Sequence, residues 1–561
     1  MKLFSDFLHS FSFRPRLFAH FPGYSRHDFR CDVTSGITVG IVALPLAMAF
    51  GIASGVRPEQ GIITAIVAGF LISALGGSRV QIGGPAGAFV ALLYGIAEKY
   101  GVANLLIATM MAGVLLFAMG AFKLGNLVRF IPISIIIGFT AGIAVIIAVS
   151  QVKDVMGLTM PKVSSNFFSQ LSAIGTSLNT VNWLAFVIGA ASLLIIVVWP
   201  VSYRPQTSRW KEITAKLPST IVVLILSSLV VWFFKLPVET IGSKFGALPG
   251  GLPMPAIPHF DWETARNLVA PTIAIALLCA IESLLCARVA DSLIQDRHDP
   301  NQELMAQGIA NFVTPFFGGI VATGTIARTV TNVRSGARSP VAGIVHSATL
   351  FLIILLAAPL AGQIPLASLA AILLWVAYSM GDWREFTKLR QFSMFYRATL
   401  LSTFFLTVVF DIVVAVEVGL VLSSLFFIYR ISSLTTVEEI QLAETQKSGR
   451  DVVAYRLFGS LFFGSVTKLE YLLDPGRKLP DVLILELHQV INVDTTGLDA
   501  LENLHLLSKK NGGRLILAGV NEQPLSLMRR SGYVTLLGAE NIVGSLDEAL
   551  QLARIVKVTA T

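Results

Sequence analysis

The sequence predicts a polytopic α-helical membrane protein, with fourteen segments in two inverted halves of seven and a small cytoplasmic α/β domain at the end. Three observations predict it. Of the 561 residues, 54% are hydrophobic and only 14% charged, where soluble globular chains carry about 25%. Apolar stretches long enough to span the hydrocarbon core, or nearly so, recur until about Arg430. Beyond Arg430 the pattern changes to strand-like runs alternating with amphipathic helices.

The first half places segments near 34–52, 61–75, 85–97, 102–121, 132–151, 181–199 and 219–234. The second places them near 268–290, 304–317, 325–334, 341–360, 365–380, 395–410 and 412–429. The third and tenth are too short to cross as simple helices. Both are approached through glycine: GGSRVQIGGPAGAF over Gly76–Phe89 and GGIVATGTIAR over Gly318–Arg328. Seven is odd, so the second half is inverted relative to the first. Broken helices at matching positions of inverted halves point to a transporter with its site at mid-membrane. Gly242–Asp261, rich in Pro and Gly, reads as a non-helical external connection between the halves.

Residues 1–30 carry Lys2, Arg14, Arg16, Arg26 and Arg30 with scattered aromatics, so they read as a cytoplasmic segment rather than a signal peptide. The net charge of +8 fits the positive-inside rule better than nucleic-acid binding. Arg79, Lys123, Arg129, Arg204, Arg209, Lys211, Lys216, Arg334, Arg338, Arg384, Lys388, Arg390 and Arg397 all fall in even-numbered loops. Both termini are therefore expected in the cytoplasm. The domains expected are 1–30, a transporter domain 31–432 (repeats about 31–236 and 266–432), and a terminal domain 445–558. Cys31, Cys279 and Cys286 fall in no CxxC or CxxH pattern, so neither a disulfide framework nor a zinc site is supported.

The chemistry concentrates in Gly318–Gly336, where small residues lead to one arginine, Arg328. An arginine at membrane depth is costly and marks an anion site by default. Helix N-termini meeting there favour anions through unpaired N–H groups and dipole ends. The third helix is expected to begin near Pro85, a residue suited to a first turn, with Gly83, Gly84 and Gly87 allowing close approach. The tenth is expected to begin near Thr325 and to present the N–H groups of Ile326, Ala327 and Arg328. Thr323, Thr325 and Thr329 supply hydroxyls that serve either the ligand or helix capping and back-bonding to carbonyls. Glu282 lies near the centre of the eighth helix, where a carboxylate must be paired, wet or protonated. Such a group offers a route to proton coupling, or else is a structural partner for a basic side chain, with Arg328 as one candidate. Phe50, after Pro45 in the first helix, lines a cavity or packs in the core. No GxGxxG, GxxxxGK[ST] or HExxH occurs, so no cofactor, metal, ATP drive or enzyme activity is expected.

ITVGIVALPLAMAFGIASGVRPEQGIITAIVAGF, GGPAGAF, AIESLLCARVAD, QGIANFVTPFFGGIVATGTIARTVTNVRSGA and NVDTTGLDAL together resemble the SulP family of sulfate-permease-type anion transporters, from about Asp28 onward. Within that family the sequence looks most similar to the branch that carries four-carbon dicarboxylic acids. The resemblance implies a uracil-permease-like fold in which a core (segments one to four and eight to eleven) moves against a gate. It also implies a C-terminal STAS domain, a homodimer and a bacterial inner-membrane location. Substrate-binding positions implied are Phe50, Ala86, Gly87, Ala88, Thr325, Ile326, Ala327 and Arg328. Some members carry Phe where Ala86 stands and Ser where Ala327 stands, so this site is expected to admit a larger anion. Sodium-coupled members hold their ion with an Asp and a Thr at the positions of Glu282 and Cys286. Losing that hard oxygen favours protons over sodium. In related STAS domains a Ser is phosphorylated where Thr495 stands, which makes Thr495 an expected regulatory phosphosite and the domain a site for a cytoplasmic protein partner; the alternative is a plain helix cap. The function expected is secondary, proton-coupled uptake of C4-dicarboxylates such as succinate, fumarate and aspartate. The alternative is a sulfate or bicarbonate transporter or an anion exchanger.

Overall fold

A Ser25 capping box starts the first long helix, and the chain then alternates long and short helices as the hydropathy predicts. The computed structural model describes residues 13–20, 23–126, 132–160, 166–199, 218–258, 262–410, 412–442, 451–470 and 480–555. Arg129, Arg204, Arg209, Lys211 and Lys216, which bear on orientation, lie outside them, as do the expected domain limits 445 and 558. The chain divides into two compact units, Met1–Leu420 and Val421–Thr561.

All fourteen segments are helices: α1 (Arg26–Ala53), α2 (Pro58–Leu75), α3 (Val90–Tyr100), α4 (Val102–Ala121), α5 (Ile133–Met156), α6 (Trp183–Val198), α7 (Ser219–Phe234), α8 (Val269–Ile294), α9 (Pro300–Val313), α10 (Ile326–Arg334), α11 (Val341–Ala361), α12 (Leu366–Met380), α13 (Met394–Val409) and α14 (Ile412–Leu434). Among the described residues six of them, α1, α2, α4, α5, α8 and α11, are long and apolar enough to cross a bilayer. An amphipathic helix, Phe167–Ser177, meets α6 at a sharp bend of 118° and was not expected from hydropathy.

α1 begins at Arg26 rather than near 34. Its polar first turns are held in place: the Ser25 hydroxyl accepts from the Asp28 N–H, and buried Asp32 accepts from the Tyr24 hydroxyl (2.7 Å) and the Arg338 N–H (2.7 Å). The external connection is not wholly irregular, because Thr240 caps a short helix at Ile241–Phe245. Beyond it the described residues are non-helical to Pro258, as expected.

The helices pack in two groups, matching the core and gate implied by the resemblance. α1, α2 and α11 pack together, and α9 packs against α2 and α4, with α8 on α4 and α10. α5 packs against α12 and α13, and α6 against α12. Between α2 and α3, and between α9 and α10, the chain is extended. There two short strands, β1 (Gly83–Gly84) and β2 (Thr323–Gly324), pair antiparallel with Gly83 opposite Gly324 and Gly84 opposite Thr323.

Extended backbone in the middle of a membrane fold needs partners for every N–H and C=O. Side chains supply them. Asn311 of α9 brackets Ala322, donating to its carbonyl (2.8 Å) and accepting from its N–H (2.8 Å). Thr64 of α2 accepts from the Ile320 N–H (2.7 Å). Glu303 of α9, fully buried, accepts from the N–H groups of Gly77 (3.0 Å) and Ser78 (3.3 Å) and from the Gln307 amide (3.0 Å). These crosslinks fix the two approaches in register.

In the second unit, β3 (Thr436–Ile440), β4 (Val452–Leu461), β5 (Val482–Val493), β6 (Arg514–Ala518) and β7 (Ile542–Val543) form one sheet in that order. β3 and β4 are antiparallel and the other pairings parallel. Parallel strands covered on both faces are apolar throughout, which is why VLILEL of β5 shows no alternation. One face buries Leu483, Leu485 and Leu487 under α15 (Thr495–Lys510), while the other buries Ile484 and Ile516 under α17 (Leu546–Ile555). α16 (Glu522–Arg530) lies between them in the chain. β4, β5, β6, α15 and α16 are the strand-like runs and amphipathic helices of the sequence beyond Arg430, and β3 and β7 add an edge strand on each side.

Candidate anion site

α10 begins where β2 ends. Thr325 is extended (φ −109°, ψ 113°) and Ile326 starts the helix. This is the start expected from the sequence, and it leaves the N–H groups of Ile326, Ala327 and Arg328 in the first turn, without intrahelical partners. α3 differs from expectation. Pro85 and Ala86 remain extended, a 3₁₀ turn covers Gly87–Phe89, and the α-helix begins only at Val90. The first free N–H groups on this side therefore belong to the 3₁₀ turn.

The threonine hydroxyls bond to main-chain groups across the crossing rather than capping α10. Thr325 makes no side-chain cap. Its N–H (2.9 Å) and its hydroxyl (3.0 Å) both donate to the Ile82 carbonyl. The Ile82 N–H in turn donates to the Thr329 hydroxyl (3.0 Å). Thr323 donates to the Cys279 carbonyl (3.3 Å). The hydroxyls therefore tie the two half-helices to each other and to α8.

Among the described residues Arg328 is the largest fully buried side chain, 1% exposed, and neither its Nη1 nor its Nη2 has a hydrogen-bond partner. Its Nη1 lies against Gly84, whose φ of +155° and lack of a side chain make room; a Cβ there would collide with the guanidinium. Unmatched charge of this kind is far too costly to persist without an anion or a polar surround. Gly84 thus lets the guanidinium of Arg328, a side chain of the protein itself, approach the backbone closely.

Phe50 of α1 is buried against the 3₁₀ turn: a Cβ on Gly87 would lie 3.2 Å from its Cε1 and 2.8 Å from the sulfur of Met380, at the end of α12. Phe50 and Gly87 are thereby brought together with a gate residue. Ala86 is half-buried, Ala88 buried, and Ile326 and Ala327 exposed. Thr325 is buried with Arg328.

Glu282 lies on α8, whose neighbours Cys279, Ser283 and Cys286 face the strand crossing. The Cys279 thiol meets the Ala322 carbonyl (3.2 Å), the Gln81 amide donates to the Ser283 hydroxyl (3.1 Å), and the Cys286 thiol meets the Thr329 hydroxyl (3.2 Å). Glu282 makes no ion pair with Arg328, since both terminal nitrogens of that arginine are unpartnered. The suggested pairing of Glu282 with Arg328 is therefore not formed among the described residues. Two further residues, which carry no signal in the sequence, belong to the same framework: Glu303, and His346 of α11, which is fully buried with both ring nitrogens unpartnered among the described residues. Glu303 sits in a helix of ordinary amphipathic pattern, and His346 is one histidine in an apolar run, so neither carries a local signal.

The profile of the sulfate permease family matches residues 29–403, and that of the STAS domain residues 443–549. The chain belongs to the sulfate permease family. It is thus a multi-pass membrane anion transporter with a C-terminal STAS domain. It is 40% identical over 537 residues to "Putative sulfate transporter YvdB" of Bacillus subtilis, covering 95% of this chain and 99% of that one. It is 29% identical over 549 residues to "Bicarbonate transporter BicA" of a Picosynechococcus species, covering 94% and 95%. The solved transmembrane domain of a cyanobacterial BicA superposes with a TM-score of 0.60 at 29% identity, over 72% of this chain and 98% of that one. Murine Slc26a9 shares the fold with a TM-score of 0.85 at 18% identity, over 99% and 95%.

Proposed function

We propose that this sulfate permease family member is a secondary active carrier that takes up a small oxyanion together with protons. In this reading the anion binds between the starts of α3 and α10 and crosses by elevator-like movement of the core helices against the gate. The observation that carries it is the buried Arg328, whose two unpartnered terminal nitrogens form the planar fork that suits two oxygens of one anion. The N–H groups at the start of α10 add neutral donors.

Sulfate, with bicarbonate beside it, is the leading substrate class, because relatives at 40% and 29% identity bear those names. C4-dicarboxylates are a second reading with its own support: Ala86 and Ala327 keep the walls of the site short. The proton-coupling residue is Glu282, and Cys286, directed at Thr329, offers sodium no hard ligand. Residues 31–432 carry transport in a homodimer of the inner membrane with both termini cytoplasmic, and 445–558 form the STAS domain. Thr495, exposed in the first turn of α15, suits phosphorylation or a protein partner, since phosphate gains from a helix N-terminus.

Uptake of labelled sulfate and succinate into proteoliposomes, with and without an inward proton gradient, tests the reading. Gradient-driven accumulation of one of them is expected. Accumulation indifferent to the gradient contradicts proton coupling, and strict dependence on an anion inside the vesicle indicates exchange instead.

A further inference from the structure

Beyond Arg328, His346 is the ionisable side chain that stands out in the core. It is fully buried and both Nδ1 and Nε2 lack hydrogen-bond partners. A buried polar group left so is costly, and buried imidazoles are ordinarily bonded.

Its position explains more than its burial. A Cβ on Gly69 would lie 3.0 Å from the Ser347 Oγ, 3.1 Å from the Gly83 carbonyl oxygen and 3.6 Å from the His346 Cε1. One residue along, a Cβ on Gly84 would collide with Arg328 Nη1 and lie 3.5 Å from the Ala65 Cα. The Ser347 hydroxyl donates to the Ala65 carbonyl at 3.5 Å. Ala65 and Gly69 are one turn apart on α2, and Gly83 and Gly84 are consecutive in β1. The imidazole and the guanidinium therefore rest against one small patch of backbone.

Other charges around α11 are committed elsewhere. On α1, Asp32 is held by Tyr24, the Arg338 N–H and Ser339. On α2, Glu59 pairs with Arg57. On α9, Glu303 accepts from Gly77, Ser78 and Gln307. On α10, Arg334 closes the last turn, away from the crossing. The charged side chain that shares this patch of backbone with His346 is Arg328.

We propose that His346 is a second proton-binding residue of the Arg328 site, one that takes up its proton as the anion binds. The inference rests on the reading of Arg328 as the anion site. An imidazolium beside Arg328 is repelled while the site is empty, and an oxyanion between the two cations removes the repulsion. Linkage makes the effect mutual: the proton tightens the anion by the factor by which the anion tightens the proton. With Glu282 as the other acceptor, a dianion such as sulfate moves with two protons.

The test is proton uptake per anion bound, measured with a pH indicator in weakly buffered detergent solution on the full chain, with sulfate and, in parallel, succinate as probes. Wild type is expected to take up two protons, and His346→Gln and Glu282→Gln one each. Wild-type affinity should rise as pH falls, by up to about tenfold per pH unit for each proton linked, and His346→Gln should lose one proton's share of that slope. Unchanged proton uptake and slope in His346→Gln overturn the inference. So does complete loss of uptake in Glu282→Gln, which is measured independently should His346→Gln and His346→Asn both fail to fold. If wild type binds neither probe at any pH, the anion-site reading itself fails, an outcome distinct from binding without proton uptake.

Discussion

The two half-helices meet at one crossing, yet they bring different things to it. The α3 side is almost featureless: Gly83, Gly84, Pro85, Ala86, Gly87 and Ala88 contribute main chain and space. The α10 side is chemical: Thr323, Thr325, Arg328 and Thr329 contribute hydroxyls and charge. Even the bonds between them run one way, with Thr325 and Thr329 of one side satisfying both the carbonyl and the N–H of Ile82 on the other. The inverted repeat thus supplies the geometry twice and the charge once. Glycine on α3 makes room for the arginine of α10, as the contact between Gly84 and Arg328 shows. In the proposed site, one charge on one half faces bare backbone on the other.

The largest test of this division is Arg328→Ala. Two charge-assisted hydrogen bonds are lost, each worth about 1.5–3 kcal/mol, so anion affinity should fall by at least about a hundredfold with the protein still folded and assembled. Isothermal titration of purified protein measures it. Arg328→Lys should recover only part of the loss, because an ammonium lacks the two-pronged fork. Affinity unchanged in Arg328→Ala would mean that the bare backbone suffices.

The second comparison is between the two threonines. Thr329→Val strands the Ile82 N–H, costing about 1–3 kcal/mol. Thr325→Val should cost less, because the Thr325 N–H still reaches the Ile82 carbonyl at 2.9 Å. Thermal unfolding in detergent should rank them in that order, and an equal loss would show that the crossing does not depend on which partner the strand keeps. Third, Ala86→Phe fills the open side of α3. It should reduce succinate uptake about tenfold relative to sulfate, a steric discrimination of the size a pocket wall supplies; equal loss of both would place the anion elsewhere.

The smallest effect lies in the STAS domain. Burial first, and then the nearby Lys509, hold His505 below the usual imidazole range. A depressed value stabilises the fold above the ordinary histidine range, and that contribution is lost as pH falls through it. Hydrogen exchange of α15 in the full chain, corrected for its intrinsic pH dependence, should therefore speed up slightly between pH 7.5 and 5.5. His505→Leu should remove the change.

The helices were legible because membrane depth imposes long apolar runs, and all fourteen appear where hydropathy placed them. The ends were less so. α1 starts early because Asp28 and Asp32, which read as pre-membrane polarity, find partners in Ser25, Tyr24 and the Arg338–Ser339 turn, far away in sequence. Arg328 was legible because a lone arginine among apolar residues has few explanations. What the threonines bond, why α3 starts at Val90 and not at Pro85, and the roles of Glu303 and His346 depend on contacts between residues hundreds of positions apart, and no local pattern encodes those.

The central claim is that an oxyanion sits at Arg328, between the starts of α3 and α10. The most direct measurement is the structure of the protein soaked with selenate, located by the anomalous signal of selenium. The account predicts one site within hydrogen-bond distance of Arg328 Nη1 and Nη2, lost in Arg328→Ala. Selenate bound tightly elsewhere, with the guanidinium untouched, would contradict it.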